Sequence, residues 1–114
     1  MRLIGLTKPQ SDVLFQLYKD PTLTQRDLCR INDVTEATLS VLITGLERKQ
    51  LIKRQASQDD TRKKLLVLTS SAKKLEPVVL RIKTEMYEAL IRGFTAEELR
   101  FIAVALKEMA VNLS

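Results

Sequence analysis

Residues 24–68 read TQRDLCRINDVTEATLSVLITGLERKQLIKRQASQDDTRKKLLVL, and the pattern within them decides the fold. Thr24 to Ile31 predicts a short helix, and Asn32-Asp33 supplies residues that tolerate the left-handed backbone of a tight turn. Glu36 to Lys49 predicts a second helix. Leu51-Ile52-Lys53-Arg54 and Leu65-Leu66-Val67-Leu68 then read as paired strands joined by a loop of Ser, Gln, Asp and Thr. Helix, turn, helix and hairpin in this order outline a winged helix-turn-helix, in a mainly α chain with one small β-hairpin (α+β).

The second helix can be divided into faces. Leu39, Leu42, Ile43 and Leu46 follow the i, i+3, i+4, i+7 spacing and are expected in the core. Projection at about 100° per residue puts Ala37, Val41, Thr44 and Arg48 on the opposite side, flanked by Thr38, Ser40 and Gly45. A solvent-facing polar helix would show the same pattern. As a recognition helix in a major groove, it would offer Thr38, Ser40 and Thr44 to base edges or phosphates, Val41 to a thymine methyl and Arg48 to a phosphate.

Helix starts along the chain repeat one device. Leu23 before Thr24 with Leu28, Val34 before Thr35 with Leu39, and Phe94 before Thr95 with Leu99 each have the spacing of a hydrophobic staple. Before these, Thr7 and Gln10 have capping-box spacing, Pro9 is tolerated in a first turn, and Val13, Leu14 and Leu17 share a face, so a helix is expected from Lys8 to about Lys19. Asp20-Pro21 ends it.

Charge is distributed unevenly. Residues 1–46 carry five basic and five acidic side chains; residues 47–74 carry nine basic against three acidic, a net of +6; residues 75–114 carry five against six. The excess positive charge of the chain, +5 in total, therefore lies in the hairpin and its flanks. A solvated lysine-rich surface is one account of this. Its coincidence with a wing favours neutralisation of a phosphate backbone, with Arg54, Arg62, Lys63 and Lys64 as the wing's DNA-binding residues. Arg62 beyond the tip suits a narrow minor groove, and Asp60 is placed to orient it or to stabilise the turn.

After Thr69 the chain reads as two helices. Leu75, Val78, Val79, Ile82, Met86 and Leu90 form an apolar stripe over Ser71 to about Arg92, with Pro77 expected to start or kink it. Gly93 breaks this helix, and Thr95 with Glu98 caps a last one carrying Leu99, Ile102, Leu106 and Met109. A chain of 114 residues cannot cover both stripes together with Phe101, so Val78, Val79, Ile82, Met86, Leu90, Phe101 and Leu106 are expected at a homodimer interface. Packing of these helices on the winged part of a monomer is the alternative. The organisation expected is one domain over 1–114, with the winged helix-turn-helix in 7–69 and dimerisation helices in 70–114.

Several function classes find no support in the composition. The chain has no histidine and one cysteine, which removes His-based catalytic triads, internal disulfides and the usual zinc sites; neither metal nor cofactor is expected. No glycine-rich phosphate loop is present, and Asp59-Asp60 is an isolated acidic pair on a loop, so no enzymatic activity is expected. Cys29, between Arg26 and Arg30 but beside Leu28 in the short helix, reads as a buried structural residue rather than a redox sensor. The lack of an apolar run of about 20 residues or of a signal peptide predicts no membrane association and a cytoplasmic location.

Leu46-Glu47-Arg48-Lys49, Leu51-Ile52-Lys53-Arg54, Asp60-Thr61-Arg62 and Val67-Leu68-Thr69, in this order and spacing, resemble the MarR family of bacterial winged-helix regulators. Leu6-Thr7 with Gln10, Val13-Leu14 and Glu97-Glu98-Leu99 extend the resemblance to almost the whole chain. It implies a homodimer on pseudo-palindromic double-stranded operator DNA, repression as the commoner outcome, the helix from Glu36 in the major groove and Arg62 in the minor groove. The sequence reads as a member shortened at the N-terminus, since the family helix that precedes Leu6, and contributes to the dimer and to a pocket for small effectors, has no counterpart in it. Val41 and Gly45 stand where arginines are typical, and Gln50 where the family has glycine. This weakly basic helix face leaves a second function class open, a winged-helix module that binds a protein partner and has lost specific DNA recognition.

Overall fold

The computed structural model describes residues 5–56 and 64–113. In chain order the elements are α1 (Lys8–Lys19), α2 (Gln25–Asn32), α3 (Glu36–Arg48), β1 (Ile52–Ala56), β2 (Lys64–Leu68), α4 (Ser70–Ile91) and α5 (Ala96–Leu113). The architecture is that of a winged helix-turn-helix, with a two-stranded antiparallel hairpin following three helices.

Local chemistry explains the helix starts. Thr7 caps α1 by accepting from the Gln10 backbone N–H, while the Gln10 side chain accepts from the Thr7 N–H at 3.1 Å. Thr24 and Asp27 form the same reciprocal box on α2, and Thr35 caps α3. Each box satisfies donors that a helix terminus otherwise leaves bare. Between α2 and α3 the chain reverses at Asp33, whose φ of 52° and ψ of 51° are left-handed. After α3 a second left-handed residue, Gln50 with φ 61°, turns the chain into the hairpin.

The hairpin register pairs Ile52 with Leu68, Arg54 with Leu66 and Ala56 with Lys64. Alternation sends Ile52 and Leu66 inward, 1% and 4% exposed, and leaves Lys53, Leu65 and Val67 on the outer face. Leu51, read from the sequence as strand, instead joins the hairpin to its neighbours: its N–H donates to the Leu46 carbonyl and its carbonyl accepts from the Thr69 N–H. Thr69 completes the link, since its hydroxyl donates to the Gln50 carbonyl at 2.7 Å and accepts from the Ala72 N–H at the start of α4.

Two compact units emerge, 1–82 and 83–114. In the first, Val13, Leu14, Leu17, Leu28, Leu39, Ile43 and Leu46 are fully buried and close on Ile52, Leu66, Ala72 and Val79. Each such leucine contributes about 1.5–3 kcal/mol relative to exposure. An amide pair braces the helix-turn-helix from behind: Gln16 Nε2 donates to Asn32 Oδ1 at 2.9 Å, and Asn32 Nδ2 donates to Gln16 Oε1 at 2.8 Å.

The boundary between these units falls inside α4. The reason is that Ala72 and Val79, two turns apart on one face, are both fully buried against the winged core. This corrects the assignment of Val79 to a dimer interface, because its side chain is consumed by the core of its own chain. Val78 and Ile82 are half-buried. Pro77 lies within α4, which starts seven residues earlier under the Thr69 cap, so the proline does not begin the helix.

The second unit is the end of α4, a turn at Gly93 with φ 86°, and α5. Thr95 and Glu98 form the expected box, with the Thr95 N–H donating to Glu98 Oε1 at 2.9 Å. None of the described residues of α5 is buried. Leu90 and Phe101 are each 75% exposed, and Met86, Val104, Leu106 and Met109 are exposed as well.

Candidate nucleic-acid interface

The outer side of α3 carries the residues that the helical projection placed there, but the structure divides them into two groups. Ala37, Thr38, Val41 and Arg48 are exposed, Val41 at 71%. Ser40 and Thr44 are half-buried and face the hairpin. The cause is Arg54 of β1, which folds back onto α3 instead of pointing away from it. Its Nη2 donates to the Ser40 carbonyl and to Ser40 Oγ, both at 3.1 Å, and its Nη1 donates to Thr44 Oγ1 at 3.2 Å and to Glu47 Oε1. The Arg54 side chain is 20% exposed. Arg54, expected among the DNA-binding residues of the wing, is thus a bracket between β1 and α3.

The other edge of α3 is set by α1. A Cβ on Gly45 would lie 2.7 Å from Gln10 Nε2, so a side chain there would collide with α1. Gln10 is itself held, since its Oε1 accepts from the Thr7 N–H and from Lys49 Nζ at 2.7 Å. Lys49 also donates to the Gly5 carbonyl, tying the segment before α1 to the end of α3. Sequence reasoning put Gly45 beside the outer face and saw neither contact, because Gln10 and Lys49 are 39 residues apart.

The remaining wing residues divide by position. Lys64 is exposed at the start of β2, as is Lys53 on β1. Asp60, Arg62 and Lys63, expected at the wing tip, lie outside the described residues. At the opposite end of the hairpin, Tyr18 donates from its hydroxyl to the Ala72 carbonyl at 2.5 Å and lines an open cleft of about 370 Å³ with Pro21, Leu66, Lys73 and Glu76. Burial first, and the nearby Glu76 charge second, push the Tyr18 phenol up to about 12.

Cys29 is buried, 9% exposed, and burial followed by Glu36 raises its thiol pKa. The thiol form favoured there suits packing rather than nucleophilic or redox chemistry. Among the described residues no three His, Cys, Asp or Glu side chains are grouped as a metal site would require, and no helix is long and apolar enough to cross a membrane.

A helix-turn-helix with an outward-facing second helix and a basic hairpin beside it defines a winged-helix protein of the DNA-binding type. The model of the MarR family matches residues 4–63, and the chain belongs to that family of transcriptional regulators. It is similar to the structure of the Staphylococcus aureus MepR–DNA complex, at 33% identity and a TM-score of 0.87, covering 99% of this chain and 82% of that one. The transcription regulator MarR from Oenococcus oeni PSU-1 is 32% identical, with a TM-score of 0.80 and coverage of 96% and 83%. Among curated proteins, an uncharacterised HTH-type transcriptional regulator of Bacillus subtilis, YybA, is 27% identical over 110 residues, 96% of this chain and 73% of that protein.

Proposed function

We propose that the chain is a homodimeric repressor that occupies pseudo-palindromic promoter DNA, with α3 in the major groove and the wing in the minor groove of each half-site. The observation that supports it best is the outer face of α3: Ala37, Thr38, Val41 and Arg48 stand clear of the protein next to a segment of net charge +6. The similarity to MepR, a protein whose structure is that of a complex with DNA, favours the same use of this face. Two-fold symmetry would come from the exposed apolar residues of the second unit, Met86, Leu90, Phe101 and Leu106, which water disfavours at this density. Arg62 supplies the minor-groove contact, Lys63 and Lys64 neutralise phosphates, and Asp60 orients the arginine.

Binding to the duplex upstream of the chain's own gene, compared with scrambled duplex at two salt concentrations, tests the proposal. A preference that persists at higher salt and weakens in Arg62→Ala is the expected result. Equal, salt-sensitive binding to both duplexes would mean nonspecific phosphate contact. Sedimentation of Phe101→Glu tests the dimer, and a wild-type monomer would overturn that part.

A further inference from the structure

We infer that the centre of the α3 recognition face reads DNA through apolar contact, with Val41, flanked by Ala37 and the Thr38 methyl, packing on thymine C5-methyl groups. The inference rests on the DNA-binding proposal above and names what in the DNA that face selects.

Four observations converge on it. Polar side chains that could read base edges are drawn aside: the hydroxyls of Ser40 and Thr44 both accept from Arg54 and lie half-buried against the hairpin. The Thr38 hydroxyl is engaged at the cap, accepting from Thr35 Oγ1 at 3.0 Å. On the opposite edge, Gly45 meets Gln10 and contributes no side chain at all. What projects between these rails, in the N-terminal half of the helix that enters a groove first, is Ala37 and a Val41 that is 71% exposed.

The chemistry of the groove matches this surface. Thymine is the one base that presents a methyl group in the major groove, and alanine, threonine methyl and other small apolar groups are its usual partners. A β-branched valine in a helix is held to one dominant rotamer, so its two methyl groups are already positioned before contact. The small neighbour Ala37 lets the helix backbone approach closely. Arg48, at the far end of the helix, remains for the phosphate backbone.

The test starts from a random duplex pool selected on the full chain. The best selected duplex is resynthesised with deoxyuridine replacing each thymidine in turn, which removes the methyl group and leaves base pairing and the O4 acceptor intact. Expected is one or more positions per half-site at which the change weakens binding about fourfold, the effect of one buried methyl. In Val41→Ala, whose exposed position leaves the core untouched, that penalty should shrink towards onefold. Deoxyuridine tolerated at every position, or a penalty unchanged in Val41→Ala, would overturn the inference while leaving DNA binding standing. A pool that yields no enriched sequence would overturn the DNA-binding proposal and this inference with it.

Discussion

Arg54 on β1 donates to the main-chain carbonyl of Ser40 on α3, at 3.1 Å. Because the same guanidinium also pairs with Glu47 about two turns further along the helix, the strand and the helix are held at two points rather than one. A planar fork can do this and a lysine cannot.

Arg54→Ala should therefore cost about 2 kcal/mol, the scale of lost hydrogen bonds to a charged group in a partly buried setting. Arg54→Lys should recover less than half of it. Urea unfolding of both variants, and of Glu47→Ala for a double-mutant cycle, measures the cost; additivity of the Arg54 and Glu47 effects would contradict the coupling.

Gln50 occupies left-handed backbone, φ 61°, at the end of α3. A side chain in this region costs roughly 1 kcal/mol relative to glycine. Gln50→Gly is expected to stabilise the chain by about that amount, because the hydrogen bonds made by its backbone, Gln50 N–H to the Glu47 carbonyl and the Thr69 hydroxyl to the Gln50 carbonyl, do not involve its side chain. Thermal unfolding gives the answer, and a lower midpoint in the glycine variant would refute the strain.

Gly45 and Gln10 should behave as a pair. Alanine within a helix gains about 1 kcal/mol over glycine, but here the new methyl would displace the Gln10 amide from its cap and from Lys49. Gly45→Ala alone is expected to change stability little, within about 0.5 kcal/mol, while in a Gln10→Ala background the same substitution should gain about 1 kcal/mol. Equal effects in both backgrounds would show that Gln10 moves away freely.

Tyr18 carries a pH signature. Its phenol ionises at about 12 in the folded chain against 10.0 without the fold, so the neutral form is favoured by folding. The associated stability is complete below pH 10 and declines as the pH rises towards 12. Ultraviolet titration of a Tyr87→Phe variant, in which Tyr18 is the one remaining tyrosine, should show the late ionisation, and Tyr18→Phe should flatten the alkaline loss of stability.

Local signals in the chain were enough for much of the architecture. Thr7 with Gln10 and Thr95 with Glu98 formed the boxes their spacing implied, Asp33 took the left-handed turn, and Val13, Leu14, Leu17, Leu39, Ile43 and Leu46 reached the core. Such features depend on residues within a turn or two of each other, whose geometry the helix itself dictates. The strand limits were less exact, because Leu51 bonds to Leu46 and Thr69, one on each side of the hairpin.

By itself, then, the sequence determined the elements, their order and which side of each helix is apolar, all consequences of short-range periodicity and capping. Only the tertiary structure decided which of those apolar and polar groups meet. It made Arg54 a bracket on Ser40 and Glu47, set Gln10 against Gly45, joined Gln16 to Asn32, and enclosed Val79 in the winged core. These pairings join separate elements, and periodicity along one element carries no information about the rotation and distance at which a second element packs on it.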